Sequence, residues 1–261
     1  MAEIYRYAFP RSLFDQAPEG HRFGYLMLGQ LWNDCIILTR QLLTARNQPP
    51  EGRSDLDLHG QIVTELVNLR FLAGRLHEGA ALLRKLGTFS RTWEEEVTPD
   101  AVEAAKRVKR YFATSSAPLS RLRHKLGFHQ DEEVARAALG TISDEELIDY
   151  HGEYYATTLY MSAQALDLRA LSSLLGTTAR EALNILSEDA ISMLGDTNVI
   201  CQAYHSWFLL KYIVPHHPLG EGQRIHLDGV PDHDAIVVPF FVSFDKVKAT
   251  LDARSAGAVL D

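Results

Sequence analysis

Apolar residues recur at three- and four-residue steps over most of the first 214 positions, the spacing that lines one face of an α-helix. From about Phe23 to Ala45 a wide apolar face includes Leu28, Leu31, Trp32, Cys35, Ile36, Leu38, Leu42 and Leu43, which predicts a largely buried helix. Asn47 to Ser54 is a cluster of Pro, Gly and polar residues, and a loop is expected there. A second long helix follows from about Leu56 to Leu86, with Leu58, Ile62, Leu66, Leu69, Leu72, Leu76 and Leu83 on its apolar positions. Thr98-Pro-Asp100 opens a third through Tyr111, with Ala101, Val102, Ala105 and Val108 inward and basic residues outward. Pro118, preceded by Ser115 and Ser116, opens a fourth, since proline is tolerated in a first turn and hydroxyls cap free amides.

Beyond this midpoint, Asp131 to Gly140 brackets a short helix, and Ser143-Asp-Glu-Glu146 has the form of a capping box that starts another. Tyr150 to Leu175 reads as helical. Thr177 or Thr178 caps the next helix, expected to end at Gly195, and Asp196 or Thr197 starts a last one through Val214. The first twenty residues mix aromatics with Pro and Gly and suggest an irregular arm. After Pro215 the pattern changes: Arg224 to Val230 alternates weakly, and Ile236 to Phe244 is apolar and extended in character, with Pro239 barring a regular central strand. The expected architecture is all-α, a multi-helix bundle with a partly extended C-terminal tail. It divides into an N-terminal arm (1–22), a helical domain (23–214) and a tail packed on the bundle (215–261).

With 261 residues, 46% of them apolar, the chain can bury a substantial core. Its formal charge of −8 excludes a general cationic coat, yet the charge is unevenly spread. Residues 101–129 carry Lys106, Arg107, Lys109, Arg110, Arg121, Arg123 and Lys125 against Glu103 alone. This basic stretch suits a local anion site or, as readily, a solvated helix face. Cys35 and Cys201 lie far apart in apolar contexts without metal-ligand spacing, as expected of buried thiols in a reducing compartment. Neither a leader peptide nor an apolar run of bilayer-spanning length is visible, so a cytoplasmic protein is expected. Gly-x-Ser-x-Gly, phosphate-binding Gly loops and His-Glu-x-x-His are all missing from the sequence, which removes the support for serine-hydrolase, nucleotide-triphosphatase and zinc-protease readings.

The basic stretch closes on Arg121-Leu-Arg-His-Lys-Leu-Gly-Phe-His129. Arg123 is followed by a polar neighbour, His124, and after four more residues by His129. Arg53 with His59 and Arg70 with His77 have comparable spacing, but only Arg123 is followed directly by Asn, Asp or His. On one helix Leu119, Leu122, Leu126 and His129 would share a face, and Arg123 and His129 would flank that stripe about 120° apart. The two could meet if Gly127 ended the helix or if the stripe packed on another helix, the latter arrangement suiting a dimer.

Arg123-His124-(four residues)-His129 in a helical context resembles the signature of the HEPN superfamily. The resemblance implies a commonly dimeric, metal-independent ribonuclease, often of toxin, abortive-infection or CRISPR-associated systems, although some members only bind. It assigns catalysis to Arg123, His124 and His129 and needs no metal or other cofactor. RNA's own 2′-hydroxyl attacks the adjacent phosphate, so the site must move a proton and offset charge growing on the phosphorane. An imidazole with a pKa near about 6.5 suits the first task, and a permanently charged, planar guanidinium suits the second. Arg121, Lys125, Lys106, Arg107, Lys109 and Arg110 are the expected RNA contacts. RNA, a second copy of the chain and an antitoxin or defence partner are the expected partners, and no membrane. The alternative is a non-catalytic helical module for dimerisation or for RNA or ligand binding. Asp34, Glu65 and Asn68 are further polar candidates on the long helices. A His/Asp-rich tail (His216, His217, His226, His233, Asp228, Asp232, Asp234) matches no metal-ligand spacing and is read as a solvated loop.

Overall fold

The computed structural model describes residues 2–47, 55–89, 92–127, 131–152, 158–218, 220 and 222–236. Strand β1 (Ala2–Arg6) is followed by α1 (Arg11–Gln16), α2 (Glu19–Arg46), α3 (Asp55–Phe89), α4 (Trp93–Glu96) and α5 (Pro99–Ala113). The chain continues through α6 (Pro118–Leu122), α7 (Glu132–Leu139), strands β2 (Asp149–Tyr150) and β3 (Leu159–Tyr160), α8 (Met161–Leu175), α9 (Ala179–Phe208) and β4 (Gln223–Leu227). The architecture is all-α, a bundle of packed helices, and the described residues add two small antiparallel strand pairs, β1 with β4 and β2 with β3.

Three long helices set the frame. α2 and α3 run along each other, and α9 packs on both. Leu28, Leu31 and Cys35 of α2, Leu66, Leu69, Leu72, Leu76 and Leu86 of α3, and Leu186, Ile200, Tyr204 and Phe208 of α9 are all nearly inaccessible. Two glycines permit the approach of α2 to its neighbours. A Cβ at Gly24 would collide with the Tyr204 hydroxyl and lie 2.8 Å from Leu86 Cδ2, and one at Gly79 would lie 2.7 Å from Leu31 Cδ2. α5 crosses α3 and α9 through Ala101, Ala104, Ala105, Val108 and Phe112, all buried.

Several elements depart from the pattern of the sequence. The N-terminal stretch is more regular than expected: β1 pairs with β4 from Ala2↔Leu227 to Arg6↔Gln223, and α1 seats Phe14 in the aromatic end of the core. This pairing joins segments some 220 residues apart in the chain, beyond the reach of local periodicity. α9 is continuous where Gly195 was expected to break it. Gly195 is exposed, its missing Cβ would meet nothing, and buried Met193 and Thr197 pin the helix on either side. The cost of one helical glycine, about 1 kcal/mol, is small against that packing. The Ser143–Glu146 capping box is present but starts only a single 3₁₀ turn, because Glu146 also engages Arg169 of α8 and the chain then turns into the β2–β3 pair. α8 consequently begins at Met161, not near Tyr150, and the Asp149 carboxylate takes the Ser162 amide at 3.1 Å.

Residues 48–54, Tyr154, Tyr155 and the apolar stretch 237–244 lie outside the described residues. Cys35 and Cys201 are free and buried, and burial pushes each thiol up to about 12. Among the described residues no helix is long and apolar enough to cross a membrane, and no group of three His, Cys, Asp or Glu side chains is arranged to hold a metal ion.

Candidate functional site

The helix that opens at Pro118 receives no cap from Ser115 or Ser116; its N-cap is Ala117, which provides no side-chain bond. Tyr111 of α5 does that work. Its hydroxyl accepts the Leu119 N–H at 3.1 Å and donates to the Asp189 carboxylate of α9, so one phenol joins three elements. Burial, with the Asp189 hydrogen bond second, pushes that phenol well above its ordinary range. Leu119, Leu122 and Leu126 form the expected stripe, and all three are spent in the chain's own core. α6 packs on α3, α8 and α9, so the stripe meets other helices of the same chain.

From Arg123 to Gly127 the helix widens into a π turn. Such turns insert an extra residue per winding and are frequent at functional sites. This one carries the Arg-His pair. Arg123 Nη1 is 3.2 Å from His124 Nδ1, and its other terminal nitrogen lies 3.6 Å from Glu78 Oε1 on α3. The Arg123 side chain is 27% exposed and His124 is exposed, so both are open to a ligand from solvent. The Glu78 contact is long and its carboxylate more than half exposed, which makes it a weak restraint that an incoming phosphate could replace.

A third group stands beside them. His77, the neighbour of Glu78 on α3, meets the His124 ring edge-on at 5.6 Å between centroids and the Phe112 ring at 5.7 Å. Its Nδ1 is buried without a hydrogen-bond partner. Burial first, and then the charges of Arg123 and His124, hold His77 below the usual histidine range, with Glu78 acting in the opposite sense. Sequence reasoning passed over His77 and Glu78. His77 had surfaced only as the distant partner of Arg70, and helical spacing does not reveal which turn of α3 faces the π turn.

His129 lies outside the described residues, as do its neighbours Phe128 and Gln130. The other basic candidates, apart from Arg110, are individually engaged. Arg121 donates to the Leu174 carbonyl at 2.5 Å, satisfying a free acceptor at the end of α8. Lys125 pairs with Asp131 at 2.5 Å, and Asp131 in turn caps α7 through the Val134 amide. On α5, Arg107 grips Asp196 with both ends of its fork at 2.6–3.2 Å, Lys109 reaches Glu94 at 3.1 Å and Lys106 reaches Glu103 at 2.8 Å. Arg110 stands exposed. Lys106, Arg107, Lys109 and Lys125 are thus met by carboxylates, and three of these, Glu94, Asp131 and Asp196, lie outside residues 101–129.

Asp34, Glu65 and Asn68 serve elsewhere, with Arg75, Arg46 and the Thr64 carbonyl respectively. The group that the fold assembles is Arg123, His124, His77 and Glu78. It places a fixed cation and an exposed imidazole, Arg123 and His124, within reach of an anionic ligand, with the His77 ring packed behind them against His124. No family model, curated protein or solved structure matches the chain.

Proposed function

We propose that the chain is a metal-independent endoribonuclease of HEPN-like type, in which Arg123 neutralises the scissile phosphate and histidine side chains move the protons. The observation that carries this reading is the Arg123–His124 pair, bonded at 3.2 Å on a π turn and open to solvent. In the reaction the O2′–P bond forms as the P–O5′ bond breaks, with the 2′-hydroxyl proton passing to a base and a second proton reaching the departing oxygen. His129 takes the acid/base role that the sequence motif gives it, and His124 supports the guanidinium. The product carries a 2′,3′-cyclic phosphate. Two-fold pairing of chains would bring two such sets to one cleft, and a toxin or phage-defence setting with a regulating partner follows from the same likeness.

A non-catalytic binding module is the second reading. It draws support from Arg107, Lys109 and Lys125, whose charges are already met by Asp196, Glu94 and Asp131, leaving less positive field for a long RNA. Wild type, Arg123→Ala and His129→Ala incubated with end-labelled RNA in EDTA separate the two. Cleavage by wild type alone is expected; equal cleavage by all three, or cleavage only on adding metal, removes the nuclease reading.

A further inference from the structure

We propose that His77 belongs to the phosphodiester-binding site of Arg123 and His124 and takes up a proton as the anionic group enters. This rests on the reading of that site as a phosphodiester site and extends it to a residue on a different helix. The geometry supplies the argument. His77 and His124 face each other edge-on across the contact between α3 and the π turn, and Arg123 is bonded to His124 on the same side. The charged and titratable groups acting on His77 are Arg123 and His124 from the π turn and Glu78 and Arg84 from its own helix, and the Phe112 ring of α5 packs against it. Burial is the first cause that keeps His77 neutral, and the cations Arg123 and Arg84, with His124, act in the same sense against Glu78. A phosphodiester seated on Arg123 offsets the part that these charges contribute and so favours protonation of His77.

The buried, unpartnered Nδ1 of His77 fits the same picture. A buried polar atom left without a hydrogen-bond partner on folding is costly to keep unless another state of the protein uses it. A polar side chain at this place with no partner in the free chain is accounted for if the ligand-bound state uses it. By linkage, affinity must rise as pH falls through the interval between the free and bound pKa values of His77. The rise is on the order of tenfold for each unit by which the ligand raises that pKa.

The probe is an oligothymidylate of eight residues, which has no 2′-hydroxyl to react and no base or phosphate that titrates between about pH 5 and 8. Its affinity is measured from pH 8 to pH 5.5 for wild type, His77→Asn and Arg123→Gln, with cleavage of the matching ribo-oligomer in EDTA followed in parallel. Wild-type binding should strengthen toward low pH, His77→Asn should bind with a flatter slope, and Arg123→Gln should bind weakly throughout. Equal slopes for wild type and His77→Asn would overturn the proposal. Proton-linked binding without ribo-oligomer cleavage would retain the His77 assignment and reject the nuclease, whereas cleavage with unchanged slope would do the reverse. Should His77→Asn fail to fold, the wild-type His77 imidazole can be titrated by NMR with and without the oligomer. A pKa raised by the oligomer is expected, and an unmoved one refutes the role.

Discussion

Tyr111→Phe is the sharpest structural test of how the motif helix is held. The substitution keeps the ring and its packing against Phe112 and removes only the hydroxyl, which accepts the Leu119 N–H and donates to Asp189. No cavity is made, so the cost is that of the hydrogen bonds alone. A bond to a charged acceptor contributes about 1.5–3 kcal/mol and a neutral one about 0.5–1.5 kcal/mol. Tyr111 and Asp189 are only partly buried, and water can replace some of what is lost. A net destabilisation of about 2 kcal/mol follows, or roughly 4–8 °C in Tm for a chain of this size. Urea unfolding followed by far-UV circular dichroism should be measured for wild type, Tyr111→Phe, Asp189→Asn and the double variant. The cycle should return a coupling of about 1 kcal/mol, within the range for directly bonded side chains. Amide exchange at Leu119 should also accelerate beyond the global change, because its acceptor is gone. Tyr111→Phe within about 0.5 kcal/mol of wild type, or strict additivity in the cycle, would refute the tether.

Other substitutions probe separate parts of the structure. Gly24→Ala should lower stability by about 1–3 kcal/mol in the same melts, since the new methyl group would collide with Tyr204 and Leu86; a neutral result would mean that α2 and α9 are not so closely opposed. Glu146 is held down to about 2 from an ordinary 4.5, first by Arg169 and then by the Ser143 amide. Its stabilising contribution is complete above its unfolded pKa and is lost as pH falls toward 2, so wild type should lose more stability than Glu146→Gln between pH 5 and 2.5. Parallel pH profiles for the two proteins would contradict the pairing. Cys35 and Cys201 should resist a thiol reagent in the native protein and react together on unfolding, as burial keeps both thiols protonated at neutral pH. Rapid labelling of either in native buffer would place that thiol nearer the surface.

The helical frame was legible wherever one face of a helix is apolar and a breaker marks its end. Glu19–Arg46, Asp55–Phe89, Pro99–Ala113 and Glu132–Leu139 all fall close to their expected spans. Misreadings arose where tertiary contacts outweigh a local signal. Gly195 reads as a stop until Met193 and Thr197 are seen buried beside it, and the capping box at Ser143 reads as a helix start until Arg169 captures Glu146. Of the site, the Arg123–His124 pair was visible because its residue types are adjacent in sequence. His77 and Glu78 were not, since their proximity to Arg123 depends on how α3 packs against the π turn. The same blindness applies to charge: Arg107 and Asp196 are 89 positions apart, and a count along 101–129 sees only the cation.

Analysis of RNA termini by mass spectrometry addresses the enzymatic reading most directly. Wild-type protein in EDTA should release fragments ending in 2′,3′-cyclic phosphate, and Arg123→Ala, at matched concentration and with the same circular dichroism spectrum, should release none above background. Undiminished yield from Arg123→Ala, fragments with 3′-hydroxyl ends, or intact RNA in the wild-type reaction would contradict an Arg123-centred transphosphorylation.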